Sequence, residues 1–197
     1  MVLKKMAGRG SGAANSRHLV QSEVRIIGGE WRSRRVKFSA EEQIRPTPDR
    51  VRETLFNWLG QQLDGLSCVD LFAGSGALGL EAASRGAASV TLVERNPRVV
   101  SSLQESIRVF GSSSIKVIRA DALEFLKRDE SVYDLAFLDP PFGEALTGDF
   151  MMELGKRLSF GAKVYYECGQ QFEPPSDWRI FKQGRAGRVH FHLLQVV

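Results

Sequence analysis

The chain has 197 residues, 43% of them hydrophobic and 25% charged, with a formal net charge of +4. That size and balance fit one α/β-sized domain with an appendage, and they exclude wholesale disorder, collagen-like repeats and coiled coil. No apolar run approaches the ~20 residues of a membrane span, and two cysteines, Cys68 and Cys168, make neither a disulfide framework nor a zinc site, which points to a reducing, cytoplasmic compartment.

The charge is unevenly spread. Residues 1–60 hold 12 Lys and Arg against 6 Asp and Glu, and the remaining residues hold 15 against 17. A basic first third on a near-neutral body suits a polyanion held at one end, although a solvated basic face gives the same count. Residues 1–22 are rich in Gly, Ser and Ala, carry Lys4, Lys5, Arg9 and Arg17, and contain no hydrophobic stretch. They read as a disordered basic tail better than as a transit peptide, and no secretory signal is present.

Residues 23–60 read as a hairpin followed by a helix. Residues 24–27 form one strand, Gly28-Gly29 the turn, and residues 31–38 the partner. Alternation then places Arg32 and Arg34 on one face and Arg35 and Lys37 on the other, so that both faces are partly basic. Arg45-Pro46-Thr47-Pro48-Asp49 is a stiff loop, and Val51, Leu55, Trp58 and Leu59 follow at helical spacing. Trp31 and Trp58 read as core rather than as stacking platforms.

From residue 61 strands alternate with helices. Strands are expected at 68–72, 90–93, 115–118, 135–138 and 163–167, with helices at 77–85, 97–110, up to 126, and 150–158. Residues 178–182 and 189–196, separated by 183–187, read as a terminal antiparallel hairpin. Repeated βα units imply an α/β, mostly parallel, seven-stranded sheet with a ligand crevice at the carboxyl ends of its strands. By analogy, the added hairpin makes this the Rossmann-like class I methyltransferase fold, here with an N-terminal β-hairpin and helix.

Gly74-Ser75-Gly76-Ala77-Leu78-Gly79 matches G-x-G-x-x-G after a strand, and Glu94 stands 20 residues beyond Gly74. Taken alone this is a dinucleotide fingerprint. Asp70, four residues before the first glycine, tips the reading toward D-x-F-x-G-x-G, with Phe72 between. An added carboxylate suits the ammonium of a methionine moiety and repels a pyrophosphate. Glu94 then accepts from ribose hydroxyls and Asp121 from the adenine amine, making S-adenosylmethionine the expected cofactor. Either acid could instead be a plain helix cap.

Asp139-Pro140-Pro141-Phe142 ends the fourth of these strands at the same sheet edge. The prolines leave carbonyls free to accept. The Asp139 carboxylate and the Pro140 carbonyl suit the two hydrogens of an exocyclic amine, and Phe142 offers a stacking face. Two acceptors aim the nitrogen lone pair at a methyl donor and stabilise the charge that develops. The bland alternative is a Pro-Pro turn that closes a strand. His190 and His192 share a strand face without ligand-type neighbours, so no metal is expected.

With these motifs in hand, the sequence resembles the RsmD-type bacterial 16S rRNA guanine-N2 methyltransferases. The resemblance rests on residues 25–36, 45–59, 69–87, 92–96 and 138–142. It implies methyl transfer from S-adenosylmethionine to the N2 amine of a guanine in 16S rRNA, as free rRNA or in a partly assembled small subunit, by a monomeric enzyme. Carried onto matching positions, Asp70, Gly74, Gly76, Glu94 and Asp121 bind cofactor, Asp139 to Phe142 hold the base, and Arg45, Thr47 and Arg50 lie near cofactor or RNA. Arg25, Arg32, Arg34, Arg35 and Lys37 are the phosphate-contact candidates. Three other readings stand beside this one: a DNA amino-methyltransferase, a nucleotide-dependent dehydrogenase, and a non-enzymatic RNA-binding assembly factor.

Overall fold

The computed structural model describes residues 21–39, 46–141, 146–169 and 172–197. The tail at 1–20 lies outside them. Its centre is a seven-stranded sheet made of β3 (Ser67–Asp70), β4 (Ser89–Glu94), β5 (Ile115–Arg119), β6 (Tyr133–Leu138), β7 (Leu158–Cys168), β8 (Trp178–Ala186) and β9 (Val189–Val196). The order is β5-β4-β3-β6-β7-β9-β8. β3 to β7 pair in parallel, and β9 runs antiparallel to both β7 and β8. The chain steps outward from β3 to β5 and then returns to β6 on the other side of β3. That reversal opens a crevice at the carboxyl ends of β3, β4 and β6.

Each face of the sheet is covered, as a parallel sheet requires. On one side lie α1 (Asp49–Leu59), α2 (Ala77–Ser84) and α3 (Pro97–Phe110), which bury Leu55, Phe56, Leu78, Leu80, Val99 and Leu103. On the other lie α4 (Ala122–Arg128) and α5 (Gly148–Gly155), which bury Phe125, Leu126, Phe150 and Leu154. Trp31 stacks on Phe110 at 4.8 Å between centroids and Trp58 on Phe191 at 5.4 Å, so both tryptophans belong to the packing, as expected.

The N-terminal hairpin is present, but its second strand starts later than the pattern predicted. β1 (Gln21–Arg25) pairs antiparallel with β2 (Arg35–Ser39), and residues 26–34 form the connection. Arg32 and Arg34 are therefore loop residues, not strand residues. Only one ribbon face is basic, because Val24, Val36 and Phe38 turn the other into the core. The connection is also no free turn. Glu30 N donates to Ser84 O at 2.7 Å, Trp31 N to Ser84 Oγ at 2.9 Å, and Ile27 N to Glu81 Oε2 at 2.8 Å. Gly29 has φ +72°, and a Cβ there would fall 1.8 Å from the Ser84 carbonyl oxygen, so the chain needs glycine to dock on α2.

A buried ion network fastens α1 and α2 beneath this hairpin. Glu81, on α2, takes Arg52 from α1 at 3.2 Å and Arg85 at 2.8 Å, with all three side chains almost fully buried. Arg52 also bonds Asp49, the Arg25 carbonyl and the Thr47 carbonyl. Two boundaries also moved. Leu158 opens β7 rather than closing the preceding helix, and β8 continues through 183–186, leaving Gly187 and Arg188 as the turn.

Candidate active site

At the switch point lies a cavity of about 550 Å³. Its wall is built from Pro46 and Thr47 before α1, Asp70 to Ser75 with Ala77 and Leu78 from the end of β3, Val93 to Asn96 from the end of β4, Ala120 to Ala122 after β5, and Asp139 to Pro141 after β6; Gly76 shapes the loop without lining the wall. Five separate connections thus meet where βα repetition predicts a ligand. Among the described residues four acids line the cavity, Asp70, Glu94, Asp121 and Asp139, against the base Arg95.

The loop after β3 is shaped by its glycines. Gly76 has φ +78°, and a Cβ would press within 2.8 Å of Leu80 and 2.7 Å of Leu103, so the chain turns into α2 with no room for a side chain. Asp70 is 1% exposed and spends Oδ2 on the Gly79 amide at 3.1 Å, while Oδ1 is buried without a partner among the described residues. Burial pushes its carboxyl up to about 7, with the Asp139 and Glu94 charges adding to the rise and the Gly79 and Phe72 amides opposing it. Phe72 lines the cavity and stacks on Phe150 at 5.8 Å.

Glu94 accepts from Gly74 N at 3.0 Å and from Asn96 N at 2.8 Å, which ties the glycine loop to the end of β4. It does not cap α3; Asn96 does. Asp121 does cap α4, through Oδ1 to the amides of Leu123 and Glu124, so for this residue the capping reading is true of one oxygen. Its Oδ2 makes no hydrogen bond among the described residues. An orphaned buried carboxylate oxygen and an acid-rich wall fit a cationic cofactor bearing ammonium, hydroxyl and amine donors. They oppose a dinucleotide, whose pyrophosphate would meet carboxylates.

Asp139 receives the Thr47 hydroxyl on Oδ2 at 3.0 Å, which fixes the carboxylate from the α1 side. Burial raises its pKa and the Thr47 bond partly offsets the rise. Pro140 and Pro141 stand beside it at the cavity rim. Phe142 and Arg45 lie outside the described residues. Two groups that the sequence reading placed in a strand without giving them a site role, Tyr165 and Glu167, come beside Asp139 from β7. Tyr165 donates its hydroxyl to Glu167 Oε1 at 2.7 Å, and burial followed by the Asp139 charge raises the Glu167 pKa. A lone Tyr-x-Glu in an apolar strand carries no motif; only the β6–β7 register brings it here.

The basic candidates divide by what they already hold. Arg25 pairs with Asp49 at 3.3 Å and Arg35 with Glu23 at 3.0 Å, both exposed. Arg32, Lys37 and Arg50 are exposed without an ion pair among the described residues. Arg34 instead lies over the Phe110 ring at 4.3 Å and donates to the Val109 carbonyl at 2.8 Å, which is packing work. Those partners close the 14-residue α3, ~20 Å along the helix from its cavity end.

Comparison with known proteins agrees with this geometry. A family model described as conserved hypothetical protein 95 matches residues 24–195. The ribosomal RNA small subunit methyltransferase D of Escherichia coli strain K12 is 37% identical over 183 residues, covering 90% of this chain and 92% of that protein. Its namesake from Haemophilus influenzae is 39% identical over 184 residues, covering 89% and 95%. The solved structure of the Escherichia coli yhhF protein superposes with a TM-score of 0.81 at 37% identity, over 89% of this chain and 98% of that one. TrmN from Thermus thermophilus shares the fold alone, at 22% identity and a TM-score of 0.61. The architecture is the Rossmann-like class I methyltransferase fold, and the chain belongs to the RsmD family, that of the ribosomal RNA small subunit methyltransferase D proteins.

Proposed function

We propose that this protein transfers the methyl group of S-adenosylmethionine to the N2 amine of a guanine in 16S rRNA, in the cytoplasm. The observation that carries the reading is one cavity in which Asp70, Glu94 and Asp121 stand on one side and Asp139-Pro140 on the other. The names of the small-subunit rRNA methyltransferases at 37–39% identity support the substrate.

When bound, the cofactor supplies an electrophilic methyl on a positively charged sulfur. Asp70 offers charge to its ammonium, Glu94 accepts from its ribose, and Asp121 uses the oxygen left over from helix capping for the adenine amine. On the other side, Asp139 and the Pro140 carbonyl accept the two hydrogens of the guanine amine. That amine is a poor nucleophile because its lone pair is delocalised into the ring. Two fixed acceptors favour the pyramidal form and stabilise the positive charge that develops on nitrogen. Thr47, clamped at its carbonyl by Arg52, holds the Asp139 carboxylate in place. Arg25, Arg32, Arg35, Lys37 and Arg50 are the phosphate contacts in this reading, and Arg34 is left to the fold.

The test is methylation of rRNA from cells lacking the protein, supplied free or as partly assembled subunits, with the product mapped by mass spectrometry. N2-methylguanosine in 16S rRNA is expected; a methylated adenine, or activity on DNA alone, overturns the reading. Asp139→Ala should lower turnover by at least about a hundredfold while calorimetric cofactor affinity stays within about threefold. Near-normal turnover would remove Asp139 from the reaction.

A further inference from the structure

Residues 178–197 carry Arg179, Lys182, Arg185 and Arg188 and no acid. They include β8 and β9, and β8 is the outermost strand of the sheet. Lys163 on β7 and Arg179 on β8 both pair with Gln195 of β9, and Lys182 pairs with Leu193, so all three bases project from one sheet face. Phe181 is the extra residue of a bulge between Ile180 and Lys182 and stands 41% exposed. The Lys163 Nζ lies 3.8 Å from the centre of its ring and the Lys182 Nζ 5.7 Å. Arg179 donates to the neutral Gln195 side chain at 2.7 Å. None of the three bases has an ion pair among the described residues. On the helices, by contrast, Arg108, Lys127, Arg128 and Lys156 each meet a glutamate one turn away.

We propose that Lys163, Arg179, Phe181 and Lys182 form a second RNA-docking surface, which grips a single-stranded stretch of the substrate by its phosphates and by one stacked base. This rests on the reading of the substrate as RNA given above. Charges on an outer strand also keep other strands from pairing there. That need does not account for Lys163, which stands two strands inside and reaches across β9 to the ring. Nor does it account for an aromatic ring left exposed at the edge, which would invite association. Three like charges drawn around one ring repel one another, and the Arg179 charge adds to burial in pulling the Lys163 amine below its ordinary range. An anionic partner removes that cost. Single-stranded RNA supplies phosphates for the cations and flat bases for the ring.

The surface is separate from both the cavity and the ribbon. Lys163 pairs with Leu135, four residues and ~13 Å before Asp139 along β6, and β8 lies three strands and ~14 Å from β6 across the sheet. The ribbon packs on the other half of the molecule, where β2 meets α3 and α3 covers β4 and β5. The cofactor acids Asp70, Glu94 and Asp121 belong to that half, so the new surface lies on the Asp139 side of the cavity. RNA held at both places is fastened on either side of the target guanine.

The experiment is filter binding of the full chain to unmethylated 16S rRNA across a salt series, with melting curves on the same samples. Replacing Lys163, Arg179 and Lys182 together with Ala should reduce the slope of log affinity against log salt by about 2, at ~0.7 per single-strand phosphate. Calorimetric affinity for S-adenosylmethionine should stay within about twofold. Phe181→Leu keeps every charge and an apolar side chain; it should leave the slope unchanged and weaken rRNA binding about fivefold or more through lost stacking. A wild-type slope in the folded triple variant, or wild-type affinity in Phe181→Leu, overturns the proposal. Self-association of the triple variant on size exclusion, with RNA binding intact, would reduce the charges to edge protection. Polyglutamate binding that the triple variant loses while rRNA binding persists would assign the surface to an acidic polypeptide and overturn the proposal too. Failure of the wild type to bind rRNA refutes the substrate reading and takes this surface with it. A triple variant with the wild-type slope, on rRNA that the wild type methylates, refutes the surface alone.

Discussion

Asp70 shows what a single buried carboxyl costs and what it is for. In the unfolded chain an aspartate titrates near ~3.9, whereas burial holds Asp70 up at about 7. Between those values the folded protein keeps a proton that the unfolded chain has lost. The Asp70 contribution to stability is therefore complete below about pH 4 and falls as pH rises toward 7, at about 1.4 kcal/mol per pH unit. Asp70→Asn removes that slope, so urea midpoints of the variant should fall less than those of wild type between pH 5 and pH 8. The cofactor ammonium favours the anion, so wild-type affinity by calorimetry should improve as pH rises through 7 and that of Asp70→Asn should stay flat. Parallel pH dependences in the two proteins would remove Asp70 from both accounts. Residues of this kind were legible in sequence because Asp70 ends one strand and Asp139 follows another, each at a fixed distance from glycine or proline. Glu167 and Arg52 were not: the first needs a strand register to give it a neighbour, and the second occupies a helical core position where a charged residue is the exception.

At the scale of elements, sequence rhythm located every strand and helix of the body because apolar runs, glycine stops and proline starts agreed. It failed where solvent or docking replaced burial as the determinant. β8 is an edge strand exposed along most of its length, so residues 183–186 needed no apolar pattern and looked like a turn. Residues 26–34 looked like a tight turn and a strand, but their backbone amides go to Glu81 and Ser84 on α2, a destination invisible to local pattern. Glu81 is the keystone of this arrangement, since it compensates Arg52 and Arg85 and also receives the Ile27 amide. Glu81→Ala leaves two buried guanidiniums without their shared anion and should destabilise the protein by about 3–5 kcal/mol in urea melts. A loss below about 1 kcal/mol would show that water reaches the network. Because the same helix begins at the glycine loop, cofactor affinity of the variant at low temperature reports whether the hairpin's anchor also holds the cavity in shape.

For the molecule as a whole, the uneven charge becomes a spatial division. Four acids of the body, Asp70, Glu94, Asp121 and Asp139, line one cavity, while the exposed bases of the first third, among the described residues, lie on one ribbon face, in its connecting loop and on α1. Two of those bases are paired only at the surface, Arg25 with Asp49 and Arg35 with Glu23, and such pairs hold so little free energy that phosphates can replace the carboxylates. Arg34, held on Phe110, has no such freedom. This separation yields a contrast that charge counting alone would miss. Replacing Arg25, Arg35 and Lys37 together with Ala should reduce the slope of log affinity for rRNA against log salt by about 2, since each phosphate contact contributes ~0.7–0.9. Arg34→Ala removes the same kind of charge from the same stretch of sequence, yet should leave the slope unchanged and lower the thermal midpoint instead, because what it gives up is a stacked guanidinium and a bond to the end of α3. Filter binding across a salt series, with melting curves on the same samples, separates the two effects. Equal slopes in the wild type and the triple variant would move the RNA off the ribbon, and a changed slope for Arg34→Ala would extend the docking surface to the far end of the sheet.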